Sequence, residues 1–343
     1  MPLPATHVVA GRAAQTDMTT PLASGPTSPA RASGQAGPPP SGGENTSPTA
    51  PRRRPSHVGR MLEPLAFLSP TLILLAVLMV LPIVLVIGYA FMDNVVTNPD
   101  PEFVGTANLV EIATDPTFHI ALRNTVVFTV VSVIAHMILG LTFAMLLNSK
   151  RISAASRAVL RAIYVLPWLF TVAVIAVLWR MLLAPSGVIN YLLSTNVEWL
   201  ADPRLALGTV TVINIWAGYP FFMVSLLAGL QGIPGDLYEA ARVDGASPVQ
   251  QFFHVTLPQL RQIIVSLLLL DMIWTSAQQF ALIWMTTGGG PLSTTEMLST
   301  YTYKLAFDDY EFGLASASAV LVLLVSMVLA FFYVRHEKAR ESA

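Results

Sequence analysis

Residues 235–258 read G-D-L-Y-E-A-A-R-V-D-G-A-S-P-V-Q-Q-F-F-H-V-T-L-P, a polar insert between two long apolar runs. Two helix starts are written into it. Asp236 is placed to N-cap a short helix, with Glu239 three residues on to close a capping box. Gly245 interrupts that helix, because glycine tolerates the positive φ of a sharp turn. Ser247 then starts a second helix, with Pro248 at its first position and Gln250 at its third. The expected order is helix, glycine turn, helix, with Leu257-Pro258 leading into the next apolar run.

The runs on either side decide the fold class. Six apolar stretches are expected near Leu65–Phe91, Leu122–Leu147, Ala158–Leu183, Leu205–Leu230, Gln262–Thr286 and Phe312–Val334. Each exceeds the roughly 20 residues that cross about 30 Å of hydrocarbon. Backbone groups in lipid are satisfied only within helices or closed barrels, and runs of this length mean helices. The 343-residue chain is 54% hydrophobic and 11% charged, with mean hydropathy +0.61. Soluble domains carry about 25% charged residues, so this is an all-α membrane protein with six transmembrane helices.

Charge sets the orientation. Of the 19 Lys and Arg, 15 fall in the N-terminal segment, the 148–161 loop, the 231–261 loop and the C-terminal segment, all on one side. Arg123, Arg180, Arg204 and Lys304 fall on the other. The basic side is cytoplasmic, so both termini and the loop at Glu239 are expected inside. Residues 1–64 are rich in Pro, Gly, Ser, Thr and Ala and too poor in large apolar residues to offset ordering entropy. They read as a disordered cytoplasmic tail. Residues 65–335 form the membrane domain, with the 231–261 loop on its cytoplasmic side, and 336–343 a short cytoplasmic tail.

Several classes of chemistry are excluded. A net charge of −1 supplies no basic field for nucleic acid. Cysteine is absent, which removes thiolate zinc sites and thiol nucleophiles. The six histidines are scattered, and no metal site or cofactor site is expected. Gly288-Gly289-Gly290-Pro291 lacks the lysine of a phosphate-cradling loop. No catalytic residue is assigned.

Two stretches resemble a known family. Glu239-Ala240-Ala241, then Gly245, then Val255-Thr256-Leu257-Pro258 is similar to the EAA loop of permease subunits of binding-protein-dependent ABC importers, with Val255 where isoleucine is usual. Gly288 to Phe312, with its Thr-Gly-Gly-Gly-Pro start and Tyr301-x-Tyr303-x-x-Ala306-Phe307, resembles carbohydrate importer permeases of the maltose-F-like or glycerol-phosphate-A-like kind. The resemblance implies the ABC importer type I permease fold and a cargo that is a sugar, polyol or sugar phosphate. It implies a second permease subunit in a heterodimer, two copies of a cytoplasmic ABC ATPase and an extracytoplasmic solute-binding protein. It implies that Glu239, Ala240, Ala241, Asp244, Gly245, Leu257 and Pro258 couple the chain to the ATPase, which alone hydrolyses ATP. The chain would lie among the lipids of the cell membrane.

Polar groups within spans are costly in lipid and point to function. Asp271, Trp274 and Gln278 fall on one helical face of the fifth span, and Asn214 lies in the fourth beside Gly218 and Pro220. They are substrate-path candidates; interhelical hydrogen bonding, or an Asp271 that reaches cytoplasmic water, is the plainer reading. His136 reads as a hydrogen-bonded core histidine, and Gly140 as a point of close helix approach. A secondary active transporter would need coupling-ion carboxylates at mid-membrane, where Asp271 stands alone. An intramembrane hydrolase would need a nucleophile and base, and no motif surrounds Ser266 or His136.

Overall fold

The first apolar run folds as α1, Phe67–Tyr89, in a computed structural model that describes residues 67–93, 95–149 and 151–341. At 277–278, 328–334 and 336–341 it describes the backbone alone. The tail expected at 1–64 lies outside the described residues, which belong to the compact unit Glu63–Ala343. After α1 come α2 (Ala107–Thr114), α3 (Pro116–Asn148), α4 (Ala154–Leu169), α5 (Val172–Leu182), α6 (Val188–Leu193) and α7 (Ala206–Gln231). The polar insert holds α8 (Gly235–Val243) and α9 (Pro248–Gln251). A π turn, Phe252–Thr256, joins α9 to α10 (Leu257–Thr286), followed by α11 (Leu298–Phe307) and α12 (Phe312–Glu341). Among the described residues, extended pairing is limited to one Met92–Phe103 bridge.

Local chemistry sets these boundaries. Asp115 caps α3 by accepting from the Thr117 N–H at 2.8 Å, with Pro116 at the first helical position. Two π turns, Ala76–Val80 and Phe252–Thr256, each end two residues before a proline, Pro82 and Pro258. Proline removes a donor and its ring crowds the carbonyl four residues back, and a wider turn relieves both.

Helices stand at all six expected runs, but the third is not one rod. Phe170 and Thr171 take extended backbone, Thr171 caps a new helix through the Val174 N–H, and α4 and α5 meet at 99°. Among the described residues, four helices are long and apolar enough to cross a membrane singly, and the bent pair makes a fifth at most. The apolar described part of α12 is the shorter Phe312–Met327.

α3 and α7 form the most extensive helix pair, because glycines let them touch. A Cβ on Gly140 would sit 2.3 Å from Phe222 Cβ, as the sequence leads one to expect, and one on Gly218 would sit 2.4 Å from the His136 ring. The buried side chains fall into three clusters. One, around Leu147, Phe222, Leu226 and Leu260, holds the end of the bundle next to α8. A second, around Phe128, Ile213, Ile283 and Met297, holds the opposite end. A third, with Ile112, Phe118, Leu298 and Tyr301, packs α2 and α11 against α12. Between the first two lies a layer that is not apolar.

Candidate functional site

That layer is built from the middle of α3, α7 and α10. His136 on α3 is 1% exposed and Asp271 on α10 is 7% exposed. His136 Nδ1 lies 2.8 Å from Asp271 Oδ2, and its Nε2 lies 3.1 Å from the backbone carbonyl of Asn214 on α7. Thr275, one turn along α10, donates its hydroxyl to Asp271 Oδ1 at 3.1 Å. A carbonyl only accepts, so Nε2 carries a proton. Nδ1 and the carboxyl then share the next one, and the pair is neutral overall wherever that proton lies. This is how an imidazole and a carboxyl persist in an apolar bundle. His136 is thus the hydrogen-bonded core histidine expected, with the largely buried Asp271 as its partner.

Beside the pair opens a cavity of about 240 Å³. Its wall includes Asn214, Asp271, Trp274, Thr275 and Gln279, and the break between α4 and α5 contributes Phe170 and Val172. Trp274 is 43% exposed. Its ring packs on Phe221 at 5.6 Å between centroids, and Phe221 meets Trp168 at 6.0 Å. Three of the four path candidates, Asn214, Asp271 and Trp274, therefore line one cavity. The Gln278 side chain lies outside the described residues. Gln279 lines the wall, 3% exposed, eight residues from Asp271 and on the same helical face, a spacing that was legible in the sequence.

The polar insert forms a second feature. The Ser247 box is present: the Ser247 N–H donates to Gln250 Oε1 at 2.7 Å, and the Gln250 N–H to Ser247 Oγ at 3.4 Å. Gly245 sits at φ +80°. The expected Asp236 cap is not formed. Pro234, with its φ already set, begins α8 at Gly235, so Asp236 falls in the first turn, where its charge favours the helix N-terminus. Tyr238 on α8 and Thr256 in the π turn join their hydroxyls at 3.0 Å. The Glu239 side chain is 70% exposed, with Arg242 at 3.6 Å on the same helix. Ala240, Ala241, Asp244 and Gly245 continue this surface, while Leu257 and Pro258 open α10. Val243, Val249 and Phe253 are exposed around it.

At the opposite end the 287–297 loop is pinned down. Asn124 donates to the carbonyls of Thr294 and Glu296, both at 3.0 Å, and Lys304 pairs with buried Glu296 at 2.5 Å. The Tyr301 hydroxyl donates to Asp115. Burial first, and the Asp115 carboxylate second, push the Tyr301 phenol well above its usual range. Among the described residues no cluster of His, Asp and Glu could hold a metal ion.

Comparison with known proteins fits these features. Residues 136–341 match the family described as "Binding-protein-dependent transport system inner membrane component". The trehalose/maltose transport system permease protein MalF of Thermococcus litoralis is 34% identical over 78% of this chain and 90% of its own length. The sulfoquinovosyl glycerol transport system permease protein SmoG of Agrobacterium fabrum is 31% identical over 81% of this chain and 91% of its own. A chain in the crystal structure of a bacterial ABC transporter involved in the import of the acidic polysaccharide alginate superposes with a TM-score of 0.71 at 26% identity, over 82% of this chain and 97% of that one. A bundle of apolar helices with a polar layer at its centre and an exposed, glycine-bent element at one end, matched over this span, is a permease subunit of an ABC importer: the chain belongs to the family of binding-protein-dependent transport system inner membrane components.

Proposed function

We propose that this permease subunit, with a second permease, forms the membrane pathway of an importer for a sugar or a related polyol or sugar phosphate. Two copies of a cytoplasmic ATPase drive it, and an extracytoplasmic binding protein delivers the cargo. The observation that carries the coupling part is the surface around Gly245. An unpaired polar insert has no reason to expose Val243, Val249 and Phe253 beside Glu239 unless another protein covers them. Glu239, Ala240, Ala241, Asp244 and Gly245 form that contact, and Leu257 and Pro258 pass its movement into α10. Glu239 meets a basic residue of the ATPase, and Gly245 sets the bend between α8 and α9. The element lies in the cytoplasm, as do both termini, and 65–335 is the membrane domain between cytoplasmic tails 1–64 and 336–343.

The relatives' cargoes support the saccharide class, and the cavity lined by Asn214, Asp271 and Trp274 is the path through this subunit, with Gln278 assigned to it by its place on the same helical face. Asp271 is neutralised by His136, which leaves no free carboxylate there for the coupling ion of a secondary transporter. Glu239→Lys tests the reading. It places like charge against the basic partner, so uptake should fall at least tenfold in cells carrying the whole importer; undiminished uptake refutes the assignment. Identification of the ligand on the cognate binding protein tests the cargo, and a ligand that is not a saccharide or polyol refutes it.

A further inference from the structure

The backbone route from α8 to α10 is soft. It passes a glycine at φ +80°, the short helix Pro248–Gln251 and the π turn Phe252–Thr256. None of these resists bending as a continuous α-helix does. Among the described elements, α8 packs most extensively against that π turn. One side-chain bond crosses this contact and bypasses the bend. The Tyr238 hydroxyl on α8 lies 3.0 Å from the Thr256 hydroxyl, and Thr256 directly precedes Leu257, where α10 begins. Thr256 is 5% exposed, so water competes little for the bond. The Thr256 hydroxyl itself points at the Gln251 carbonyl, 3.5 Å away, which leaves its lone pairs to accept from Tyr238. Gln251 in turn donates from Nε2 to the Ala246 carbonyl at 2.9 Å, across the glycine bend. Side-chain bonds thus brace α8, the bend, α9 and the base of α10 into one closed frame.

We infer that the Tyr238–Thr256 hydroxyl pair is a strut. It makes α8 and the base of α10 one body, so that a displacement of α8 reaches α10 through this bond and not through the backbone at Gly245. Tyr238 directly precedes Glu239, so a push on the Glu239 surface arrives one residue from the strut. Both are positioning residues. The inference rests on the coupling reading and deepens it, because it names the path that movement takes inside the chain.

The test uses the purified importer complex with its other subunits rendered cysteine-free. This chain has no cysteine, so Asp236→Cys and Gln262→Cys, at exposed positions on α8 and α10, place two spin labels on it. The distance between them is read by pulsed electron resonance, without nucleotide and after trapping with ATP and vanadate. With the strut intact the distribution should be narrow and its mean the same in both states. Tyr238→Phe keeps the ring and removes the oxygen; Thr256→Val keeps the shape and removes the hydroxyl. Each should broaden the distribution and part the two means by about 2 Å, the scale of sliding between packed helices. The double variant should add nothing to the larger single effect, and Thr256→Ser, which keeps the hydroxyl, should behave as wild type. The ATPase should co-purify with Tyr238→Phe at wild-type yield, which a merely structural loss would not allow. Tyr238→Phe distances that match wild type in both states overturn the inference. So do a Thr256→Ser protein as loose as Thr256→Val, a wild-type mean that itself shifts, and a Tyr238→Phe chain that yields no complex. Failure of the coupling reading shows separately, as undiminished uptake by Glu239→Lys; unchanged Tyr238→Phe distances beside a defective Glu239→Lys defeat the strut alone.

Discussion

Replacing His136 by Leu should cost this protein more than a lost contact. The imidazole makes hydrogen bonds to Asp271 and to the Asn214 carbonyl, at 2.8 and 3.1 Å. Its removal leaves the Asp271 carboxyl buried with, among the described residues, the Thr275 hydroxyl as its one remaining side-chain hydrogen-bond partner. Breaking a buried pair by deleting one partner costs about 3–5 kcal/mol, whereas replacing both members by apolar groups is often close to neutral. Asp271→Leu should therefore cost a similar amount, and the double variant should cost less than either single one. The coupling energy from the four-protein cycle should be about 3 kcal/mol or more. It is measured by titrating the purified proteins in mixed micelles with sodium dodecyl sulfate and following helix content by circular dichroism. Single-variant losses below about 1 kcal/mol, or strict additivity, would refute the claim that the two side chains form one neutral unit.

Gly218→Ala should act on the same pair from outside it: its new methyl would lie 2.4 Å from the His136 ring, so the ring must move, and a stability loss of about 1–3 kcal/mol is expected in the same titration. Gly245→Val puts a β-branched residue at φ +80°, at a cost of about 1–3 kcal/mol to the bend; co-purification of the ATPase subunit should fall, and wild-type yields of the complex would count against the role given to the turn. The pH behaviour of Tyr301 has a definite sign. A pKa raised in the folded protein means that its phenol stabilises the fold fully below the ordinary value of 10.0 and that this is lost only as pH climbs through the higher folded value. A Tyr301→Phe difference spectrum at the phenolate band should show no ionisation of this residue near pH 10, and a normal titration there would refute the buried hydrogen bond to Asp115.

Much of this protein is legible along the chain, because lipid is a simple solvent. An apolar run long enough to span it has to be helical, whatever surrounds it. The orientation proposed for the chain rests on the excess of Lys and Arg on alternate loops, without reference to packing. Local backbone rules likewise placed Gly245 at positive φ and formed the Ser247–Gln250 box. They failed at Asp236, where Pro234 started the helix two residues earlier than the capping pattern implied, and at residues 170–171, where a single apolar run hides two helices at 99°. Hydropathy does not register a two-residue change of backbone between apolar neighbours.

What tertiary structure alone decided is which polar residues meet. Periodicity placed Asp271 and Trp274 on one face of one helix, yet nothing along the chain pairs Asp271 with His136, 135 residues away, or turns the Asn214 carbonyl toward that ring. Those contacts depend on how closely α3 and α7 approach and on the angle at which α10 crosses them. The first is set by the missing side chains of Gly140 and Gly218, which let α3 and α7 meet at Phe222 and His136. Hydrophobicity along a chain is a one-dimensional property and specifies which segments enter the membrane. The neutralisation of a buried charge is a matter of three-dimensional distance, and only the packed bundle brings its partner within reach.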